Sequence, residues 1–312
     1  MTTQIASPSL AIHTAGTTAY PRLHLGARFL RRTAEHLEEP QVYTRFDLTP
    51  VNPTIGAVVH GIDLGHVDDQ VHADLHRALL EYKVLFFRDQ NLTGSQHIDL
   101  AHRWGPVEVN DFFPTAEVDG ISRLAKGDMA IGMENVWHSD TSFRSDPSMA
   151  SILRAVEIPA AGGDTLWADM AAAYDNLPES VKEQIDGLTA IHTYTKSWGQ
   201  AMTAEQIAVM SAKYPPIAHP IVRTHPETGR KLLYVNEPFT TEIVGLPKAD
   251  GDALLDYLMF QARTPEYQVR FQWAPNSVVI WDNRATQHYA VNDYFPQRRV
   301  MERVTVAGDL PR

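Results

Sequence analysis

The segment Trp137-His138-Ser139-Asp140-Thr141-Ser142-Phe143 reads as an extended strand, and it opens a long stretch in which strands follow one another between turns. Further β-forming runs are Ala150 to Ala155, Thr165 to Trp167, Pro220 to Arg223, Lys231 to Val235, Val278 to Trp281 and Arg303 to Ala307. Two helices interrupt them: Pro178 to Ile185, with proline at its start and Gly187 past its end, and Ala249 to Ala262. The pattern predicts a β-sandwich or barrel with helices packed outside it.

Upstream the reading is mixed. Val71, Leu75, Ala78, Leu79 and Tyr82 recur at helical spacing after an acidic Asp68-Asp69 start, and a second helix is predicted from Thr93 to about Trp104, ending at Gly105. Between them Val84-Leu85-Phe86-Phe87 is a short strand-forming run. The folded domain is expected over residues 45–312, preceded by an N-terminal extension, 1–44, that is partly disordered or helical. In that extension Arg28-Phe29-Leu30-Arg31-Arg32 reads as a solvated helix. No internal repeat is visible.

Composition narrows the function. Of 312 residues 44% are apolar and 21% charged, ordinary globular usage that can bury a substantial core. The net charge of −11, from 38 acidic and 27 basic side chains with no long basic run, argues against nucleic acid as a partner. There is no cysteine, so disulfides, thiolate metal sites and a cysteine nucleophile are excluded, and any metal must be held by histidine and carboxylate. Nothing reads as a membrane span or secretory leader, so a cytoplasmic protein is expected.

On a strand His138 and Asp140, two residues apart, point to one face with Cα atoms roughly 7 Å apart, within reach of one ion. His288, just past a strand end, is the candidate third ligand. Two imidazoles and a carboxylate on one side of a metal form the facial set suited to iron(II) with open positions. Asp63 with His66, and His72 with His76, are read as solvated pairs instead.

The segment around His138, together with Gly162-Gly163-Asp164-Thr165-Leu166-Trp167, Trp281-Asp282-Asn283-Arg284-Ala285-Thr286-Gln287-His288-Tyr289 and Pro296-Gln297-Arg298-Arg299-Val300-Met301-Glu302-Arg303-Val304-Thr305, resembles the hallmark motifs of the taurine dioxygenase family. That family includes aryloxyalkanoate dioxygenases and alkylsulfatases. The resemblance runs in order from about Thr49 to Pro311. It implies a double-stranded β-helix, a jelly roll of cupin type with flanking helices, and an oxygenase that uses iron(II), 2-oxoglutarate and O₂. Carried over by position, His138, Asp140 and His288 become the catalytic iron ligands. Thr165 and Arg299 become the residues that hold the distal carboxylate of 2-oxoglutarate, and Arg303 the residue for an anionic group of the primary substrate. On a strand Arg303, four residues after Arg299, also faces the same side.

The chain departs from the taurine-specific pattern at Asn110, where those members place a histidine, so a substrate other than taurine is expected. Phe113, Trp198 and Phe239 align with apolar pocket positions and suggest an apolar body. Asp140 stands where related halogenases have Ala or Gly, which favours oxygen transfer. The expected reaction is hydroxylation of a small anionic organic substrate, a sulfonate, alkyl sulfate or related acid, with collapse to a carbonyl compound where the hydroxylated carbon bears a leaving group. The alternative is a biosynthetic hydroxylase or desaturase acting on an amino acid, phosphate ester or natural product. Outside this class stand a non-catalytic metal-binding jelly roll and a zinc hydrolase. A homo-oligomer of two or four copies is expected.

Overall fold

The computed structural model describes residues 12–14, 17–20, 26–32, 42–127 and 132–312. Its architecture is set by the strand Val278–Asp282, all five residues of which are buried. Val278 and Ile280 lie in one apolar cluster and Val279 and Trp281 in another, so both faces of this strand are covered. It pairs antiparallel with Val84–Phe87 on one side and Ala150–Glu157 on the other. The eight-stranded sheet so formed runs Asp47–Pro50, Ala57–His60, Val84–Phe87, Val278–Asp282, Ala150–Glu157, Arg299–Val306 and Val107–Glu108, with Ser122–Lys126 also pairing to Arg299–Val306.

One face of this sheet is covered by the helices Asp69–Tyr82 and Gly94–His102, whose Leu75, Leu79 and Leu100 pack with Leu85, Phe87, Ile152 and Ile280. The other faces a three-stranded sheet of Gln268–Phe271, Thr165–Asp169 and Thr286–Ala290. Trp167 fills the space between the sheets, its ring centroid 5.7 Å from those of both Phe86 and Trp281. Two such facing sheets make a jelly roll. Helices Met170–Asp175, Glu179–Ile185 and Lys248–Phe260 share an apolar cluster with Ala168 of the smaller sheet.

Several expected elements are redrawn. Trp137 to Phe143 is not a strand: a single bridge at His138 is followed by a turn in which Thr141 takes φ 53°, held where its hydroxyl accepts Ser148 N–H at 2.9 Å. Pro220 to Arg223 divides, because Ile217–Pro220 pairs with Thr189–His192 while Val222–Thr224 forms a hairpin with Lys231–Leu233. Most of the 1–44 extension lies outside the described residues. Arg28 to Arg32 does not form a helix but runs over the domain, Phe29 exchanging two hydrogen bonds with the Asn176 side chain at 2.7 Å each. His72 and His76 are not free surface groups, since both rings lie edge-on to Trp104 and His76 meets Glu227 at 2.8 Å.

His97 is fully buried between helix and sheet, where its Nε2 lies 3.1 Å from Ile152 O, and burial pushes its pKa down to about 4. The unfolded chain takes up this proton near pH 6.5, so the stabilisation is complete above that pH and is lost as pH falls towards 4. The full loss amounts to about 3 kcal/mol. His97→Gln keeps an N–H donor and removes the titration, so its urea midpoint should fall less steeply between pH 6.5 and 4. A drop as steep as that of the parent chain would refute the assignment.

Candidate metal centre

His288 lies in the strand Thr286–Ala290, opposite Trp167. His138 joins the other edge of that strand through a bridge in which each histidine N–H donates to the other's carbonyl, at 3.0 and 2.7 Å. Directly opposed residues send their side chains to one face, and the two imidazoles stand with centroids 4.0 Å apart. The turn after Ser139 then brings Asp140 back beneath them, its Oδ1 4.0 Å from Nε2 of each. The candidate ligand atoms of all three lie within 4.8 Å of one another, and all three residues are buried.

The charge states suit a divalent cation. Burial would raise the pKa of Asp140, but the Arg303 guanidinium, aided by the two histidines and the Ser151 hydroxyl, holds it well below the usual carboxylate range. His288 is pushed far below the ordinary imidazole value by burial and by His138 beside it, so it is neutral, the ligating form. Its Nδ1 is buried with no hydrogen-bond partner. His138 Nδ1 donates to Val136 O at 2.8 Å, which leaves Nε2, the nitrogen 4.0 Å from Asp140 Oδ1, as its candidate ligand atom. Two imidazoles and one carboxylate without thiolate fit iron(II) in a facial site.

Arg299 and Arg303 both lie on Arg299–Val306, four residues apart and both buried, whereas Arg298 turns outward to an exposed pair with Glu157 at 2.9 Å. Arg299 Nε donates to Gly163 O at 3.1 Å, and its guanidinium lies 6.0 Å from the Trp273 ring and 5.8 Å from the Tyr294 ring. Burial lowers its pKa, and the carboxylates that act on it, Glu134 and Asp164, are engaged by Lys126 and Arg270. Gly163 makes room for it: it has φ 72°, and a Cβ there would stand 3.0 Å from Arg299 Cδ. Thr165 is linked to the same place by Trp273, whose Nε1 donates to its hydroxyl at 3.0 Å. The Thr165 O–H keeps its own proton to donate.

Arg303 Nη1 donates to Asp140 Oδ1 at 2.9 Å, and the Phe113 ring lies 5.1 Å from its guanidinium carbon. From there an aromatic wall continues through Trp198, 5.6 Å from Phe113, and Phe239, 5.3 Å from Trp198, to His138, 6.5 Å from Phe239. The three expected apolar positions thus connect Arg303 to the histidines. Asn110 Oδ1 accepts Phe112 N–H at 2.9 Å in a local turn.

The model of the taurine catabolism dioxygenase TauD, TfdA family matches residues 44–305. The chain belongs to the TauD/TfdA family. An alkylsulfatase of Acinetobacter baylyi is 39% identical over 277 residues, covering 85% of this chain and 86% of the relative. An alpha-ketoglutarate-dependent sulfate ester dioxygenase of Pseudomonas putida is 38% identical, covering 85% and 90%. The crystal structure of a taurine dioxygenase from Burkholderia xenovorans superposes with a TM-score of 0.74 at 35% identity, covering 86% and 91%.

In this TauD/TfdA chain the structure adds residues that sequence reasoning did not single out. Trp273 and Tyr294 flank Arg299, and nothing in their spacing announces it. Ser151 donates to Asp140 Oδ2 at 2.9 Å, and Asn283 Nδ2 donates to Ser151 at 3.0 Å. The available signal was a lone serine in the strand-forming run from Ala150 to Ala155.

Proposed function

We propose that this chain is an Fe(II)- and 2-oxoglutarate-dependent dioxygenase that hydroxylates the carbon bearing a sulfate ester in a small organic substrate. The observation that carries the reading is Arg303, a buried guanidinium in contact with Asp140 of the triad and facing an aromatic wall. It fits an anion held beside the metal and an apolar body laid along Phe113, Trp198 and Phe239. The two sulfate-ester relatives point to the same anion. No feature of the site favours the biosynthetic alternative. Cytoplasmic location and assembly into a dimer or tetramer remain part of this reading, open to fractionation and sedimentation.

With iron(II), 2-oxoglutarate and O₂ bound, the centre supplies decarboxylation of the oxoacid to succinate and CO₂ coupled to insertion of one oxygen atom into a carbon–hydrogen bond. His138, Asp140 and His288 would hold the metal on one side and leave the opposite side open. Arg299 and the Thr165 hydroxyl would fix the far carboxylate of the oxoacid, a planar anion matched by a planar fork. Arg303 would orient the sulfate so that the adjoining carbon faces the metal, while the aromatic wall excludes water. A carbon carrying both hydroxyl and sulfate collapses to an aldehyde and sulfate, the hydroxyl proton leaving with the anion.

Purified enzyme supplied with iron(II), 2-oxoglutarate and a medium-chain alkyl sulfate should form succinate, sulfate and aldehyde in equal amounts. Taurine should be turned over poorly, because Asn110 supplies no charge. Arg303→Ala should raise the KM for the sulfate ester by about 30-fold or more, the cost of truncating a buried charged contact, while leaving the KM for 2-oxoglutarate nearly unchanged. Efficient turnover of taurine, or of an uncharged substrate, would contradict the assignment.

A further inference from the structure

We propose that Ser151 and Asn283 are positioning residues for Asp140, forming a one-way hydrogen-bond relay that decides which carboxylate oxygen faces the metal. The inference rests on reading His138, Asp140 and His288 as the metal centre.

The direction of the relay is fixed at every step. Trp281 Nε1, a donor only, gives its proton to Asn283 Oδ1 at 2.8 Å. That contact sets the amide orientation, so Asn283 presents its NH₂ to Ser151 Oγ at 3.0 Å. Ser151, accepting there, has its single proton left for Asp140 Oδ2 at 2.9 Å. Ser151 and Asn283 are essentially fully buried, so water does not compete for these bonds.

The relay has a rigid base. Arg284 clamps Asp282 with Nε to Oδ1 at 2.9 Å and Nη2 to Oδ2 at 2.7 Å, and His225 Nε2 reaches the same Oδ2 at 3.0 Å. Asn283 O in turn accepts the Ser139 hydroxyl at 2.6 Å, tying the turn between Val278–Asp282 and Thr286–Ala290 to the residue before Asp140. Ser151 sits on the inner face of the central sheet, flanked across the strands by Trp281 and Thr305. Its bond holds Oδ2 from behind, while Arg303 Nη1 engages Oδ1 at 2.9 Å, and Oδ1 is the oxygen facing both imidazoles. Without the Ser151 bond only Arg303 holds the carboxylate, at Oδ1, and the group can pivot about that contact to offer Oδ2 to the ion as well. A second oxygen would occupy a position that the oxoacid and O₂ need.

The test is anaerobic calorimetric titration of the metal-free enzyme with iron(II) alone, followed by the visible absorption of the enzyme with iron(II) and 2-oxoglutarate. Ser151→Ala and Asn283→Ala should each weaken iron(II) binding by about 10- to 100-fold and shift the absorption band. The double variant should bind about as weakly as the poorer single one, because both cut the same relay and the other contact of Asn283 with Asp140, from Asp140 N–H to Asn283 Oδ1, is long at 3.5 Å. Ser151→Thr, which keeps the hydroxyl, should restore most of the affinity. As a control, Ser277→Ala removes a buried hydroxyl that accepts from Arg88 and Ala274 at the far end of the same sheet, and it should leave iron(II) affinity unchanged. Unchanged affinity in both Ser151→Ala and Asn283→Ala, or additive losses in the double variant, would overturn the relay while leaving the metal centre in place. Failure of the parent enzyme to bind iron(II) would overturn both.

Discussion

Alanine at any one of His138, Asp140 or His288 is expected to reduce succinate formation to background and to abolish stoichiometric iron(II) binding. Two remaining donors cannot define one side of an octahedral ion, and the buried histidines His97 and His225 are committed elsewhere, to Ile152 O and Asp282. The histidine variants are the cleaner tests. Their mutual bridge is made by backbone N–H and carbonyl groups, which alanine retains, so far-UV circular dichroism should match the parent. Asp140→Ala also strands the Arg303 guanidinium, and the loss of a buried partner costs about 3–5 kcal/mol, so its loss of activity must be judged beside its melting temperature. Full turnover with zinc replacing iron, or with His288→Ala, would be incompatible with the proposed chemistry.

The second large effect is expected at Arg299. Arg299→Ala should weaken 2-oxoglutarate binding by about 2–5 kcal/mol, roughly 30- to 5,000-fold, because a desolvated charged contact is lost whole. The structure motivates this through a guanidinium that is buried, held at Nε by Gly163 O and cradled by Trp273 and Tyr294. Arg299→Lys should recover only part of the loss, since an ammonium keeps the charge and loses the planar fork. Titration of metal-loaded enzyme with 2-oxoglutarate reads this directly, and an unaltered affinity in Arg299→Ala would show that the oxoacid is held elsewhere.

Much of this site was legible in the sequence because its chemistry is carried by short motifs. Alternation alone placed Arg303 on the side of Arg299, and the strand Arg299–Val306 keeps both inside. The segment at His138 was misread as a strand because alternation cannot anticipate the left-handed Thr141, whose turn is held by contacts with Ser148, seven residues on. The helix Ala204–Lys213 was missed for a related reason: none of its residues is fully buried, its apolar contact is confined to positions such as Met210, and its Thr203/Gln206 capping box is the clearest mark of its start. The supporting residues Ser151, Trp273 and Tyr294 were invisible because their roles depend on partners more than a hundred residues away or on the packing of rings.

The backbone bridge between His138 and His288 has a thermodynamic corollary. In small zinc domains the ion organises its own ligands, and chelators unfold the chain. Here the two imidazoles are apposed by main-chain hydrogen bonds that exist whether or not an ion is bound, so ordering them is a cost met during folding. Stripping the metal should therefore leave the jelly roll intact and its activity recoverable on simple re-addition. Saturating iron(II) should stabilise the fold only by mass action, by about 2.7 kcal/mol at a hundred times the dissociation constant, with no large change in the heat capacity of unfolding.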